Sequence, residues 1–277
     1  IVGSGVLAIA LPQQLFPKAE RNQFAVEVYL PSGRSLKQTD EVVRRIEQQL
    51  GSDKRVINYT SFIGESSPRF HTLYAPNMPS RNYAQLVVNT TTDDAAVEVL
   101  TDYEKRFRGA FPEAWVRWKQ LDMTPGGAPI EIRLAGDDIE ELKTLAKAIE
   151  THARSLPGTT WVRDDFEEPL QAIEVVPNID ACTRLSVSPA TLRASLAVGL
   201  QGLPVGTLWE DDYPVKVLLK DEPKELSSIE GLRQQYVSAM LLGASVPLEQ
   251  LATLKPVWKE GVILHRNGVR TLTVRVD

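Results

Sequence analysis

The sequence predicts an α+β fold in which a strand–helix–strand unit occurs twice and an α+β segment is inserted into the second copy. Three observations lead to this prediction. Apolar and polar residues alternate over short runs such as 24–30, which is the period of a half-buried strand. Apolar residues recur every three or four positions over runs such as 36–50, which is the period of an amphipathic helix. Runs of the two kinds follow one another in the same order after residue 18 and again after residue 125.

The first copy spans residues 18–124 and begins with a strand over 24–30. A helix follows, and its start is marked by the capping-box pattern of Ser35 and Gln38. We expect that helix to end at Gly51. The later elements are a strand over 56–62, a strand over 83–89, a helix capped by Thr92 or Asp93, and a strand over 115–121. The resulting order, βαββαβ, is that of the ferredoxin-like split βαβ unit.

The second copy is predicted in two pieces, residues 125–168 and 259–277. The first piece holds a strand over 129–135, a helix capped by Asp137 and Glu140, and a strand over 159–163. The second piece holds strands over 262–265 and 270–276, joined by the hairpin turn Asn267-Gly268. Because no second helix follows, we expect this copy to be incomplete at its C-terminal end.

Residues 169–258 are predicted to form the inserted α+β segment. Ser188 and Pro189 have the residue types that N-cap and N1 positions of a helix favour. Asp211 and Asp212 occupy a predicted hairpin tip. The other predicted elements are strands over 171–176 and 214–220, a helix over 227–235, and a strand pair over 237–242 and 246–248.

Composition excludes several classes of function. With 43% hydrophobic residues the chain has enough apolar material for a core, so it is not disordered. The net charge of −5, from 31 Lys+Arg and 36 Asp+Glu, argues against a general nucleic-acid binder. The single cysteine, Cys182, excludes an internal disulfide and a cysteine-based zinc site. The three histidines lie far apart in sequence and no pair has metal-ligand spacing on a helix, which argues against a histidine-rich metal site.

Catalytic patterns are absent from the sequence: it has no nucleophile-elbow serine, no Walker loop and no Cys/His pairing. We therefore predict neither an enzyme nor a bound cofactor or metal. The acidic run Asp164, Asp165, Glu167 and Glu168 has two interpretations, a solvated boundary between domains or a cation site.

Residues 1–12 form an apolar stretch without charges. They are too few to span a bilayer. Two interpretations remain: a buried strand of a soluble fold, or the tail of a transmembrane helix that Pro12 and Pro17 terminate. We assign residues 1–17 to such a tail and its exit segment.

The candidate binding residues lie on one predicted strand and in one long loop. Trp115, Arg117, Lys119 and Leu121 share one face of the strand over 115–121, which indicates either an exposed sheet face or a polyspecific ligand cleft. Arg163 ends the corresponding strand of the second copy. The proline-containing loop 64–82 would hang over a cleft between the two copies, with Phe70, Tyr74 and Met78 as adaptable contacts.

Several short motifs, in order and spacing over most of the chain, resemble the second large periplasmic loop of a resistance–nodulation–division (RND) efflux transporter of the AcrB-like multidrug kind. These motifs are Leu11-Pro12, Phe16-Pro17, Asn22-Gln23-Phe24, Leu30-Pro31-Ser32-Gly33, Pro129–Leu134 with Gly136, Ser186-Val187-Ser188, Val205-Gly206, Val246-Pro247-Leu248 and Arg266-Asn267-Gly268.

The resemblance implies that the two copies are the porter subdomains PC1 and PC2 and that the insertion is the docking subdomain DC. It further implies a homotrimeric parent protein at the periplasmic face of the Gram-negative inner membrane, a periplasmic adaptor protein and an outer-membrane channel as partners, and proton-driven export. Drug-like or amphiphilic molecules would enter between PC1 and PC2, where Arg163 lines the outer pocket together with the strand that carries Arg117, Lys119 and Leu121. The loop 64–81 falls where the family has its switch loop.

Two features of this chain refine that expectation. The cations Arg117 and Lys119 stand where the AcrB-like pattern has aromatic residues, which favours anionic or amphiphilic substrates. The metal-exporting branch uses methionines or acidic residues in its pockets. This chain has only three methionines, which disfavours that branch. A different class, a stand-alone soluble ferredoxin-like domain that binds a ligand or assembles with itself, is the alternative.

Overall fold

A computed structural model describes residues 18–71, 74–107, 109–121, 127–220, 229–239 and 244–277. The predicted transmembrane tail at 1–17 lies outside the described residues, as do the start of the helix predicted at 227–235 and part of the strand predicted at 237–242. The chain divides into two compact units. Unit 1 comprises the described residues up to Leu170 together with Glu260–Asp277, and unit 2 comprises Gln171–Lys259.

The first lobe of unit 1, residues 18–121, is a four-stranded antiparallel sheet with two helices on one face. Its elements are β1 (Gln23–Tyr29), α1 (Leu36–Ser52), β2 (Val56–Ile63), β3 (Tyr83–Thr90), α2 (Asp93–Arg106) and β4 (Trp115–Gln120). The strand order β2-β3-β1-β4 confirms the predicted ferredoxin-like arrangement. Phe24, Val26 and Val28 of β1 are fully buried against both helices, because alternate residues of a strand point to one face.

Local sequence signals determine where these helices start. Ser35 and Gln38 form the predicted capping box at the start of α1, and Thr92 caps α2 by accepting a hydrogen bond from the Ala95 amide. Helix α1 runs one residue beyond Gly51, so the prediction that Gly51 ends it was wrong. The helix ends at Ser52, and the amide of the C-cap residue Asp53 donates to the Leu50 carbonyl.

The second lobe, residues 127–170 and 260–277, has a smaller sheet covered by one helix. Its elements are β5 (Ile130–Ala135), α3 (Ile139–Ser155), β6 (Val162–Asp164), β13 (His265–Arg266) and β14 (Val269–Val276). Strand β14 pairs antiparallel with both β5 and β6, so the late strand predicted at 270–276 does complete the sheet of the early ones. The strand predicted at 262–265 was wrong except for His265, because the strand before the turn is only His265–Arg266. Asn267 and Gly268 have φ of 52° and 81°, which is the left-handed conformation of the predicted hairpin turn.

Unit 2 has its own apolar core, formed by residues such as Leu192, Val237, Leu248 and Leu251. Its elements are β7 (Leu170–Pro177), α4 (Ile179–Arg184), α5 (Pro189–Leu200), β8 (Leu203–Glu210), β9 (Tyr213–Leu219), α6 (Ile229–Arg233), β10 (Tyr236–Ala239), β11 (Ala244–Pro247), α7 (Leu248–Leu251) and β12 (Ala252–Lys259). Ser188 and Pro189 start α5 as predicted. Among the described residues, none of the helices combines the length and apolar character that a bilayer span requires.

Candidate ligand-binding cleft

The sheet face of the first lobe that is turned away from the helices carries polar and aromatic side chains in rows. Each row takes one residue from β3, one from β1 and one from β4. The rows are Val87–Ala25–Lys119, Gln85–Glu27–Arg117 and Tyr83–Tyr29–Trp115. Val116 and Trp118 point to the other face and pack in the helical core. The alternation in β4 therefore places Trp115, Arg117 and Lys119 together, with Arg117 directly opposite the carboxylate of Glu27.

Arg117 joins the two lobes through a buried network of charges. Its side chain is only 4% exposed. Nη1 donates to Glu27 Oε2 at 3.2 Å and to the Gly127 carbonyl at 2.8 Å, while Nη2 donates to Asp277 Oδ1 at 2.6 Å and Nε to Asp277 Oδ2. The indole of Trp161 lies 4.6 Å from the guanidinium carbon. Burial lowers the pKa of Arg117, but the bond to Asp277 and the two carboxylate charges raise it above its ordinary value. Arg117 is thus a paired cation at the interface of the lobes.

Glu27 stays ionised although it is buried. Burial is the strongest effect and would raise the pKa of this carboxyl. The charges of Arg117 and Lys119, with hydrogen bonds from the hydroxyls of Tyr74 and Tyr29, outweigh it and hold the pKa below the ordinary 4.5. Sequence reasoning did not single out Glu27 or Asp277. The signal for Glu27 was present, because a glutamate on the polar face of an otherwise apolar strand needs a partner once that face is covered.

Arg163 has unused hydrogen-bonding capacity in a buried position. The residue is 8% exposed. Its guanidinium carbon lies 4.6 Å from the ring centre of Tyr29 and 5.4 Å from that of Trp115. Within the described residues, Nε and Nη2 have no hydrogen-bond partner, and the Glu167 carboxylate lies 3.9 Å from Nη2. Two aromatic rings therefore hold the guanidinium by cation–π contact and leave N–H groups available for an acceptor.

Described residues of the loop 64–82 pack onto the sheet face instead of hanging over an open space. Tyr74 is 7% exposed, its ring lies 5.2 Å from Phe70 and 5.1 Å from the Lys119 ammonium, and it forms a small apolar cluster with Leu121 and Ala25. Tyr74 is therefore a buried packing residue and not an adaptable contact at a cleft wall, since burying it against Leu121 removes apolar surface from water, whereas Phe70 is only partly buried beside it. Leu121 is fully buried and is a core residue. Met78 is 87% exposed and takes no part in this cluster.

Two cavities open where the lobes meet. The aromatic cavity has a volume of about 610 Å³ and includes Phe107, Trp115, Trp118, Arg154, Trp161 and Asp277 in its lining. The charged cavity has a volume of about 1040 Å³ and includes Trp115, Lys147, Arg154, Arg163, Glu167 and Glu168. Trp115 and Arg154 line both, so the two cavities adjoin. Their sizes are those of small-molecule sites.

The charged cavity contains acids as well as bases. Burial raises the pKa of Glu150 and of Glu168, in each case against the opposing effect of a nearby arginine. Both carboxyls therefore take up a proton more readily than an exposed glutamate. In the part of the chain that the structure describes, no group of three or more His, Cys, Asp or Glu side chains is arranged to hold a metal ion.

A second polar contact ties the lobes together at Glu167. Its carboxylate accepts hydrogen bonds from Asn82 Nδ2 at 3.1 Å and from the Ser32 hydroxyl, both in the first lobe. Beside it, a Cβ on Gly261 would lie 2.7 Å from Ser32 Cβ and 3.0 Å from the Glu168 carbonyl, so only glycine fits. The acidic run is therefore in part a structural contact between lobes.

Comparisons with known proteins agree on one family. The family model described as the AcrB/AcrD/AcrF family matches residues 1–277. The cobalt-zinc-cadmium resistance protein CzcA of Cupriavidus metallidurans is 19% identical over 98% of this chain, and protein HelA of Legionella pneumophila is 24% identical over 53% of it. The chain covers 27% and 14% of those relatives.

A crystal structure of a heavy metal efflux pump has the same fold. It superposes with a TM-score of 0.80 at 20% identity over 99% of this chain, which covers 29% of the pump chain. At this identity the likeness establishes the fold of the chain.

Proposed function

Because the chain belongs to the AcrB/AcrD/AcrF family, we propose that it is a periplasmic portion of an RND exporter, in which the cleft between its two lobes receives the substrate. The first and second lobes are assigned to the porter subdomains PC1 and PC2, and unit 2 to the docking subdomain DC. A portion of this kind binds the substrate and controls its passage, and it carries out no chemical step.

We assign to the cleft an amphiphilic anion as substrate, and Arg163 carries this assignment. This guanidinium is nine-tenths buried against two aromatic rings, its Nε and Nη2 make no hydrogen bond to any described residue, and the Glu167 carboxylate lies no closer than 3.9 Å, so it favours a carboxylate, sulfate or phosphate group. The adjoining aromatic cavity offers indole and phenyl surface to an apolar tail. Arg117 and Lys119, which the sequence favoured as anion-binding groups, serve less well, since Arg117 is already paired with two carboxylates and Lys119 lies over Tyr74.

A divalent metal cation is the second candidate substrate. The observation that favours it is the similarity of the chain to a cobalt-zinc-cadmium resistance protein and to a nickel and cobalt resistance protein. The carboxylates of Glu167 and Glu168 in the charged cavity are the groups of this chain that would serve such a cation.

Membership of the family leads to further proposals about the intact protein. We propose that the intact protein is a proton-driven homotrimer of the inner membrane and that it works with a periplasmic adaptor protein and an outer-membrane channel. Cross-linking of the intact protein in cells, followed by identification of the captured chains, tests this assembly, and capture of no adaptor protein would contradict it.

The substrate assignment is tested by Arg163→Gln, which keeps a polar, though shorter, side chain and removes the cation. We expect the affinity of the intact protein for dodecyl sulfate to fall roughly 10- to 100-fold, the loss that follows from one charge-assisted hydrogen bond of about 1.5–3 kcal/mol. The measurement is titration of the purified intact protein, together with the resistance of an efflux-deficient strain that expresses it.

Arg44→Gln is the matched control, because Arg44 lies on the exposed surface of α1 and pairs only with Asp40 among the described residues. Wild-type dodecyl sulfate affinity in Arg163→Gln would contradict the anionic assignment. Loss of Zn²⁺ resistance in Glu167→Gln, with dodecyl sulfate unaffected in both variants, would favour the metal candidate.

A further inference from the structure

One carboxylate, Glu27, accepts hydrogen bonds both from the loop 64–82 and from Arg117, the residue of the first lobe that binds Asp277 of the second lobe. Its Oε1 accepts a hydrogen bond from the hydroxyl of Tyr74 in the loop 64–82. Its Oε2 accepts from Arg117 Nη1 at 3.2 Å and from the Tyr29 hydroxyl at 3.0 Å. Glu27 is 4% exposed, so these bonds are made out of contact with bulk water.

On one side of Glu27, its bond to Tyr74 helps to hold the loop 64–82 on the sheet. Tyr74 packs on Ala25 and Leu121 with Lys119 above its ring. The loop is also held by the Ser67 amide, which donates to Gln85 at 2.7 Å, and by Asn77, which donates to the Tyr29 hydroxyl at 3.1 Å.

On the other side of Glu27, the second lobe is held on the first. Glu27 takes up Nη1 of Arg117, which leaves the Nε and Nη2 edge of the guanidinium facing Asp277 of the second lobe in a two-point contact. The guanidinium of Arg117 must be correctly oriented before its Nε and Nη2 can donate to both carboxylate oxygens of Asp277. Glu27 supplies that orientation.

We propose that Glu27 is a positioning residue that couples the seating of the loop 64–82 to the closure of the cleft between the two lobes. When Tyr74 is seated, its hydroxyl fixes the Glu27 carboxylate, which in turn fixes Arg117 for Asp277. When the loop leaves the sheet, water reaches Glu27, the carboxylate and Arg117 regain rotamer freedom, and the contact with Asp277 weakens. Loop seating and lobe closure therefore stabilise each other, and by thermodynamic reciprocity each must respond to loss of the other.

The inference rests on the proposed function only in treating the gap between the lobes as the substrate cleft. Its test uses no substrate, so its failure is distinguishable from failure of the substrate assignment. The intact protein carries spin labels at Glu41→Cys on α1 and Glu141→Cys on α3, both exposed, in a background with Cys182→Ala. Pulsed electron paramagnetic resonance measures the distance between the two labels and hence between the lobes. Amide hydrogen exchange measures the opening of the loop.

Tyr74→Phe removes only the hydroxyl from the loop side, and Asp277→Asn removes only the charge from the second lobe. We expect Asp277→Asn to speed exchange of loop amides roughly threefold or more, and Tyr74→Phe to raise the population with separated lobes by a similar factor. In a Glu27→Gln background, Asp277→Asn should no longer change the exchange of loop amides, and Tyr74→Phe should no longer change the population with separated lobes. Because the two variants probe the coupling from opposite ends, the conclusion does not depend on either one alone.

Tyr103→Phe is the matched control. Tyr103 is equally buried in the first lobe, but it lies in the helical core, where its hydroxyl donates to the Gln49 carbonyl at 3.1 Å. It should leave the distance between the lobes unchanged. The proposal is overturned if Asp277→Asn separates the lobes without any change in loop exchange, or if Tyr103→Phe and Tyr74→Phe act alike.

Discussion

Glu27 and Arg117 lie side by side in the interface of the two lobes, each 4% exposed. A buried ion pair of this kind contributes little net stability relative to apolar residues, but breaking it by removing one partner costs about 3–5 kcal/mol, because an uncompensated charge remains. This asymmetry favours an arrangement of the interface in which neither charge is buried without its partner.

The lowered pKa of Glu27 determines how acid acts on this arrangement. A carboxyl whose folded pKa is below its unfolded value contributes stability that is present above the unfolded pKa and is lost as the pH falls through the folded one. We therefore expect the thermal midpoint of the intact protein, followed by tryptophan fluorescence, to be insensitive to Glu27 ionisation between pH 7 and about 5 and to fall below pH ~4. In Glu27→Gln the midpoint should start lower and decline less. Parallel curves for the two proteins would contradict the pKa direction.

At the residue scale, the sequence predicted which side chains share a face, but it could not predict what covers that face. Alternation placed Trp115, Arg117 and Lys119 together in β4, and the strand register agrees. Leu121 continues the same alternation yet is fully buried, because Tyr74 of the loop packs on it. Whether a polar face is a cleft or a covered surface depends on tertiary contacts, which no periodicity encodes.

At the scale of elements, helix starts were predicted best where a capping residue stands at a defined spacing. Ser35, Thr92 and Ser188 all cap as expected. The start of α3 is the exception: the sequence favoured Asp137 with Glu140, whereas the structure has Asp138 as N-cap, accepting from the Glu140 and Glu141 amides. Two adjacent aspartates satisfy the same pattern, and only the backbone path distinguishes them.

This difference can be tested with adjacent substitutions. Asp138→Ala should destabilise the first turn of α3 by about 1 kcal/mol, which corresponds to roughly fivefold faster exchange of its amides. Asp137→Ala, the control, should change exchange by less than about twofold, because its side chain caps no amide. The measurement is hydrogen exchange of the intact protein. Equal effects of the two variants would contradict the assignment of Asp138 as the N-cap of α3.

Elements of unit 2 were predicted less completely than those of unit 1. The sequence did not indicate α4, β8, α7 or β12, and it placed Leu248, the first residue of α7, in a strand. Strands β8 and β9 form a hairpin whose residues are all exposed, so no buried stripe marks β8, and a bulge between Pro204 and Gly206 interrupts its alternation. The hairpin tip was nevertheless recognisable from Asp211 and Asp212, and Asp211 has a φ of 51°.

At the scale of the whole molecule, the duplicated strand–helix–strand order was enough to predict the fold class and the joining of early and late strands in the second lobe. Strand β14 pairs with β5 across more than a hundred intervening residues, as the hairpin turn and the unfinished sheet together indicated. Of the residues that line the cleft, the sequence predicted Arg163 and Trp115. Its counter-charges, Glu27 and Asp277, lie far apart in sequence and are brought together by the packing of the lobes.

The central claim is that an amphiphilic anion binds between the lobes, at Arg163 and the adjoining aromatic cavity. The most direct measurement is the structure of the intact protein with an alkyl sulfate brominated at the tail end, in which anomalous scattering locates the bromine. We predict a bromine peak in the cavity lined by Phe107, Trp115 and Trp161, with the sulfate within about 3.2 Å of the Arg163 N–H groups. A peak only in unit 2, or a sulfate that avoids Arg163, would contradict the claim.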